Sequence, residues 1–298
     1  GMQITNNHNL PDAIVNAIRN DPYDSGGSDY TVTQLIQPVR ITHLTKRHWS
    51  DLSEDAMDRL WVLLGQTIHA ILERADADNA LQEERVFTQS LGRRISGAAD
   101  IYHGDGVIQD FKVTSAWTAV YGSRAADWER QLNLLAHLFR SIGLPVRALE
   151  IICLYRDWSA VQALNSKDYP RQPMHVIPVR LWPEEQAELY LKARVALLIG
   201  DEVAEDGGLS ECTSEEMWEK HTTWAVMKNG RKRAVRVLDS EDAALRMIAD
   251  GAGMHVEKRP GRRVRCEEYC PVNAWCSQYR DYSARQEQGD PDSGDAVA

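Results

Sequence analysis

The residues whose types and spacing suggest chemistry are Asp100, Asp110 and Lys112, in the stretch Gly97–Lys112. Its pattern predicts a β-hairpin. Residues 95–102 suit one strand, His103-Gly104-Asp105-Gly106 is turn chemistry, and residues 107–113 suit the return strand. Asp110 and Lys112 are two apart, so their side chains leave the same face of a strand. Two carboxylates and an ammonium aimed at one spot make a poor core. They make a good seat for a divalent metal and an activated water, and phosphodiester cleavage is the chemistry that suits them. A surface ion pair would also place Asp next to Lys. Against it, the flanking Val107, Ile108, Phe111 and Val113 predict a mostly buried strand, where a poorly compensated pair is costly.

The elements that must position these groups follow from periodicity. Leu60, Leu64, Ile68, Ile71 and Leu72 predict a helix over residues 51–76. Gly65, His69 and Glu73 are four apart on it and share a face, and a glycine there lets another backbone come close. A buried histidine with a surface glutamate fits the same spacing. Residues 82–89 suit a strand. Trp128, Leu132, Leu135 and Phe139 predict a helix that carries Gln131 beside its apolar stripe. Residues 147–155 read as a central strand and 174–179 as another. Pro183 opens a helix that runs to about residue 205. The order is that of a mixed α/β fold.

Residues 1–30 read as an N-terminal arm with a short helix at 11–19, and 31–206 as the core. Glu202 to Asp206 and Gly207-Gly208 mark a boundary. Residues 207–281 form a second module with an inserted ββαβ unit: a hairpin over 224–238 turning at Asn229-Gly230, a helix over 240–250 and a strand over 254–259. Residues 282–298 have the composition of a disordered tail.

The 298 residues are 43% hydrophobic and 26% charged, as in ordinary globular proteins. No apolar run approaches the roughly 20 residues that span a bilayer. Residues 1–30 hold no apolar block of the kind a secretory leader needs. A cytoplasmic setting is the expectation, the host cytoplasm if the gene is a phage's. There, five cysteines serve as free thiols or metal ligands rather than disulfides. The net charge of −10 argues against a protein that coats DNA with its whole surface, so nucleic-acid contact needs local clusters of Arg and Lys.

Taken together, Gly65…His69…Glu73, Gly97…Asp100, Asp110-Phe111-Lys112 and Gln131 resemble the successive motifs of the PD-(D/E)XK nucleases, in their RecB-like branch. That branch includes the nuclease domains of recombination helicases, CRISPR-adaptation nucleases and phage-type exonucleases. The match spans roughly residues 31–200. It implies a restriction-endonuclease-like core, a mixed central sheet flanked by helices. His69, Asp100, Asp110 and the carbonyl of Phe111 would hold Mg²⁺ or Mn²⁺. Lys112 would position the water, Gln131 would bond the phosphate or water, and Glu73 would orient His69 or reach the metal through water. The sequence departs from the pattern twice. Leu135 stands where the family usually has Tyr, and Ala99 precedes Asp100.

Cys266, Cys270 and Cys276 lie close enough to converge on one centre. They resemble the C-terminal cysteine cluster of iron–sulfur RecB-like nucleases. In those, the fourth cysteine comes before the first motif, and here none precedes Cys153. Cys212 is the best fourth ligand, and Cys153 reads as a core residue in an apolar strand. A [4Fe–4S] cluster, Zn²⁺ and reduced thiols without metal all fit thiols at this spacing. Two basic runs, Lys228, Arg231, Lys232, Arg233 and Arg236, then Arg262 and Arg263, would track a nucleic-acid backbone, though solvated charged faces look the same in sequence.

The resemblance implies a metal-dependent DNA nuclease, an exonuclease of recombination or repair acting on single strands or duplex ends. A recombination protein or a second copy of the chain would be its companion, and no membrane is involved. A structure-directed endonuclease, a non-cleaving DNA-binding subunit and an iron–sulfur redox protein are the alternatives.

Overall fold

A computed structural model describes residues 2–21, 25–72, 74, 79–249 and 253–287. The fold is α/β, with mixed sheets flanked by helices. The chain divides into two units, Gly1–Gln37 with Trp49–Gly200, and Pro38–His48 with Asp201–Ala298. The helix Val39–Arg47 therefore belongs with the C-terminal unit, which pattern alone did not reveal. Among the described residues no helix is long and apolar enough to cross a membrane.

The first unit is built on a five-stranded sheet. Its spatial order is Met174–Val179, Ala148–Tyr155, Val107–Thr114, Ile101–His103 and Ala80–Gln82. Val107–Thr114 runs parallel to Ala148–Tyr155, and the other pairings are antiparallel. Ala148–Tyr155 alternates strictly, burying Leu149, Ile151, Cys153 and Tyr155, as a strand packed on one face must. The helix Ala125–Ser141 buries Trp128, Leu132, Leu135 and Phe139, and Phe139 stacks on Tyr102 at 4.9 Å. Asn133 is buried on the same helix. Its amide donates to the Arg180 carbonyl, and its oxygen accepts from the Trp182 N–H, which pins the chain as it leaves the sheet.

Residues 95–102 do not form one strand. Arg93–Ala98 pairs with Arg85–Ser90 in a separate three-stranded sheet, and Ile101–His103 joins the central one. The partner chain breaks at the same level, between Ala80–Gln82 and Arg85–Ser90. One hairpin thus passes from sheet to sheet through a paired interruption at residues 83–84 and 99–100.

Three expectations for the first unit are corrected. The helix Leu60–Leu72 begins later than the expected residue 51, because Ser53–Asp55 pairs with Gln3–Thr5 as a parallel strand, and residues 73, 75 and 76 of the expected span lie outside the described residues. The Asp55 carboxylate accepts from the Asn7 and Met57 N–H groups, which hold its pKa below the usual carboxylate range. No backbone approaches Gly65, since a Cβ added there would meet nothing within 4 Å. Residues 1–30, expected as an arm apart from the core, group with the first unit, and their expected short helix forms. Val15 and Ile18 of the helix Asp12–Arg19 are buried against Ala56.

In the second unit, Thr223–Lys228 is the centre of a three-stranded antiparallel sheet between Arg236–Leu238 and Met254–Arg259. The helix Glu241–Ile248 starts at a Ser240 cap. Asn229-Gly230 makes the expected turn, the Arg231 N–H donating to the Lys228 carbonyl at 3.0 Å, but the strands pair again only at Val226 and Arg236, so the connection is longer than a two-residue loop. The Asn229 N–H donates to Gly253 on the neighbouring strand's approach. The final helix, Ser277–Glu287, runs through the start of the expected tail and buries Tyr282, and residues 288–298 lie outside the described residues.

Gly97 is the glycine this packing requires. A Cβ there would sit 2.6 Å from Leu135 Cδ2 and 2.8 Å from Val32 Cγ2. Gly97→Ala is expected to destabilise the protein by about 1–3 kcal/mol. Combined with Leu135→Ala, it should cost less than the two changes summed, because the truncated leucine vacates the space. Equilibrium denaturation of the four species measures this, and strict additivity would show that the contact is not the cause.

Candidate metal centre

The interruption that divides the hairpin also builds the site. Glu83 adopts a left-handed backbone, φ 51°, and its N–H donates to the Asp100 carbonyl at 3.1 Å. The two breaks are thereby tied together. Free of regular pairing, the side chains of Glu83 and Asp100 turn toward His69 on the helix Leu60–Leu72. His69 Nδ1 lies 3.2 Å from Glu83 Oε1 and 3.4 Å from Asp100 Oδ1. One ligand atom from each of the three lies within 4.8 Å of the others. Leu72, Ile101 and Phe111 line the same small pocket.

Asp110 and Lys112 project from one face of Val107–Thr114, as their spacing requires. The Lys112 ammonium lies 2.5 Å from the buried Asp110 Oδ2 and forms an ion pair with it. Gln131 Nε2 donates to Asp110 Oδ1 at 3.3 Å. Burial pushes the Asp110 carboxyl up, against the pull of Lys112, and the nearby Asp100 charge adds to the rise. Asp100 Oδ2 accepts the Phe111 N–H at 2.6 Å. In an extended strand the N–H and C=O of one residue face the same edge, so the Phe111 carbonyl faces the Asp100 side.

The structure therefore gathers His69, Asp100, Asp110, Phe111, Lys112 and Gln131 around one locus. Asp110 stands outside the tight trio, and Glu83 takes a place in it. Sequence reasoning missed Glu83. Its signal was the pair Glu83-Glu84, which interrupts an otherwise strand-like run. Glu73 lies outside the described residues.

The charges suit a divalent cation. Glu83, Asp100, Asp110 and Lys112 sum to −2 when ionised, so the one ammonium leaves the carboxylates under-compensated. Oxygen donors with one imidazole nitrogen fit Mg²⁺ or Mn²⁺. In the metal-free chain a proton on His69 offsets part of the charge. The hydrogen bond to Asp100, then that to Glu83, raises its pKa to about 10.

In the second unit, Cys212, Cys266, Cys270 and Cys276 line one pocket, and all are free thiols. Cys212 is clamped by Gln278, whose side chain accepts its N–H and donates to its carbonyl, each at 2.9 Å. Burial first, then neighbouring charge, pushes Cys212 up to about 12 and Cys266 up to about 11. Arg40 is buried beside them. It donates to the Ser210 and Leu209 carbonyls, to the Ser277 hydroxyl at 2.9 Å and toward Cys276 Sγ at 3.8 Å. Among the described residues it has no carboxylate partner, and two carbonyls, a hydroxyl and a sulfur take up its hydrogen bonds instead. No three of the four sulfurs come within 4.8 Å of one another among the described residues. Thiolates about 2.3 Å from a single zinc ion would stand about 4 Å apart, which this spacing does not meet. Cys153 is apart from them, buried in the strand Ala148–Tyr155 as expected.

The two basic runs differ in kind. Lys228, Arg231, Lys232, Arg233 and Arg236 are exposed, and among the described residues none has an ion-pair partner. Arg262 and Arg263 are not available to a phosphate backbone in that way. Arg262 pairs with Glu267 and Glu268, while Arg263 is buried between Glu219 and the ring of Tyr282.

Loss of the His69 proton is the testable consequence of this electrostatics. Near pH 7 the metal-free imidazole is protonated, and it must release that proton to coordinate. Calorimetric titration with Mn²⁺ in buffers of different ionisation enthalpy is expected to show release of about one proton per ion. His69→Gln should abolish it. Because the folded pKa is the raised one, the ion pair stabilises the apo fold fully below about pH 6.5, and the contribution fades as pH rises through about 10.

No protein-family model matches the chain, and no curated protein matches it significantly. One solved structure, described as "Crystal structure of SSO0001", aligns with 62% of this chain and 84% of its own at 15% identity, with a TM-score of 0.44. A likeness of that size carries no assignment.

Proposed function

We propose that the chain is a metal-dependent deoxyribonuclease with a restriction-endonuclease-like core. It hydrolyses phosphodiester bonds as an exonuclease in DNA recombination or repair. The observation that carries this reading is the convergence of His69, Glu83 and Asp100 beside the buried Asp110 and its half-buried partner Lys112. That is the donor set for a hard divalent ion with a cation alongside. His69, Glu83, Asp100, Asp110 and the Phe111 carbonyl would hold Mg²⁺ or Mn²⁺. When bound, the ion supplies Lewis acidity toward phosphate and lowers the pKa of water.

The chain's own residues supply the rest. Lys112, partly exposed on the open side of the strand, presents a cation where charge builds on the phosphoryl oxygens. Asp110 holds the Lys112 ammonium in place. Gln131 fixes the other Asp110 oxygen and keeps the carboxylate from turning. Arg231, Lys232 and Arg233, exposed and without an ion-pair partner among the described residues, offer contacts to a phosphate backbone.

The thiol pocket takes a cluster more readily than a single ion. A [4Fe–4S] centre needs four thiolates at wider separation than zinc does, and the buried Arg40 favours an anionic occupant. Its role here is structural, holding the segment at Cys212 to the region Cys266–Cys276.

A second reading, a non-cleaving DNA-binding subunit, draws on Leu135, which is core packing where the resembled family has a polar Tyr. Cleavage of end-labelled DNA with Mn²⁺ separates the two. Wild-type protein is expected to cut, EDTA to stop it, and Asp110→Asn and Lys112→Ala each to lower the rate by roughly 10²–10³-fold. Binding without cutting would favour the subunit. For the thiols, anaerobically purified protein is expected to absorb near the blue edge of the visible and to contain iron. Colourless protein carrying zinc would overturn the cluster.

A further inference from the structure

The helix that carries His69 has an anomaly the metal site does not use. None of its residues is buried, although most are apolar. Trp61 is 59% exposed. The Arg156 guanidinium lies over its ring at 4.7 Å and, among the described residues, forms no salt bridge. Arg156 follows the strand Ala148–Tyr155, and its N–H donates to the Thr114 carbonyl at the end of Val107–Thr114. The next element is the short helix Ala116–Tyr121. It carries Trp117, 41% exposed, and Tyr121, 73% exposed, stacked at 5.9 Å. Trp117 is anchored edge-on against the buried Tyr169, whose hydroxyl bonds to Asp157. Asp157 in turn caps the start of that helix through Ser115 and the Ala116 N–H. The exposed rings are thus held by a fixed base, just beyond the strand end that bears Lys112.

Gly65 adds an independent observation. It lies midway between Trp61 and His69, at intervals of four residues, and a Cβ there would meet nothing within 4 Å. Its backbone is not in the left-handed region. Glycine inside a helix destabilises it relative to alanine, and among the described residues no neighbour requires it. An open lane therefore runs along the helix from Trp61 to His69, about 12 Å at 1.5 Å per residue.

We infer that Trp61, Trp117 and Tyr121, with the Arg156 guanidinium, form a base-stacking platform for single-stranded nucleic acid, and that Gly65 keeps the lane to His69 clear for the strand. This rests on the nuclease reading and narrows its substrate to single strands or frayed ends. Aromatic faces stack on any base, and a guanidinium over a ring adds a cation for the phosphates. A duplex offers no free base faces to such a platform. An aliphatic docking surface for a protein would have no use for a cation seated on its ring.

The test uses the full chain in Ca²⁺ or EDTA, with fluorescein-labelled oligothymidylate and a blunt hairpin duplex as probes. Single-strand affinity is expected to fall roughly ten-fold for each of Trp61→Ala and Trp117→Ala, and Trp61→Phe to restore most of it. Gly65→Leu should keep or raise the melting temperature while weakening oligothymidylate binding and slowing its cleavage in Mn²⁺. Unchanged oligothymidylate binding in Trp61→Ala and Gly65→Leu, with wild-type melting temperatures, would overturn the platform. So would altered light-scattering mass without altered binding, which would assign the face to a second copy. Wild-type protein that never cuts, but loses single-strand binding in these variants, would sink the nuclease reading and leave the platform standing. Cutting of duplex alone, at equal rates in all variants, would do the reverse.

Discussion

The first unit depends on an electrostatic constraint: three carboxylates must be held close together while partly or wholly removed from water. Such a group repels itself, and desolvation opposes each charge. Two cations make it tolerable. Lys112 sits against Asp110, and the raised pKa of His69 keeps a proton between Glu83 and Asp100. That imidazolium supplies positive charge among the carboxylates, as any cation placed there would.

The backbone makes this possible through its interruptions. Regular pairing would have sent alternate side chains to opposite faces and kept Glu83 and Asp100 apart from His69. Breaking both strands of one hairpin at the same level frees the two carboxylates to turn. The Glu83 N–H to Asp100 carbonyl bond keeps the breaks in step. The left-handed conformation at Glu83 is unfavourable for a residue with a side chain. It persists here because ladders on both sides of the break, to Ser90 in one direction and to Ala80 in the other, determine the path.

The second unit solves a different problem with the same physics. A buried guanidinium, Arg40, draws in two carbonyls, a hydroxyl and a thiol, and with the Gln278 clamp it gathers three distant stretches around four cysteines. The basic residues near it show how sign alone misleads. Arg263 serves the fold through Glu219 and Tyr282, whereas among the described residues Arg231, Lys232 and Arg233 have no ion-pair partner.

Much of this was legible in the chain. The two-residue spacing of Asp110 and Lys112 dictated a shared face, because side chains on a strand alternate. The apolar stripes at 128–139 and the alternation at 148–155 dictated which surfaces meet, since burial is their main stabilisation. Cys212 lines one pocket with Cys266, Cys270 and Cys276, but no three of their sulfurs come within 4.8 Å of one another among the described residues. Long-range competition decided the rest. Ser53–Asp55 left its helical pattern because Gln3–Thr5 offered a strand partner. Glu83 joined the candidate centre because two strands break together, and such pairing is invisible in either strand's own periodicity. Arg263 lost its charge to the fold because Glu219 lies far from it in the chain. Local spacing determines which way a side chain points, and only the packed chain determines what it meets there.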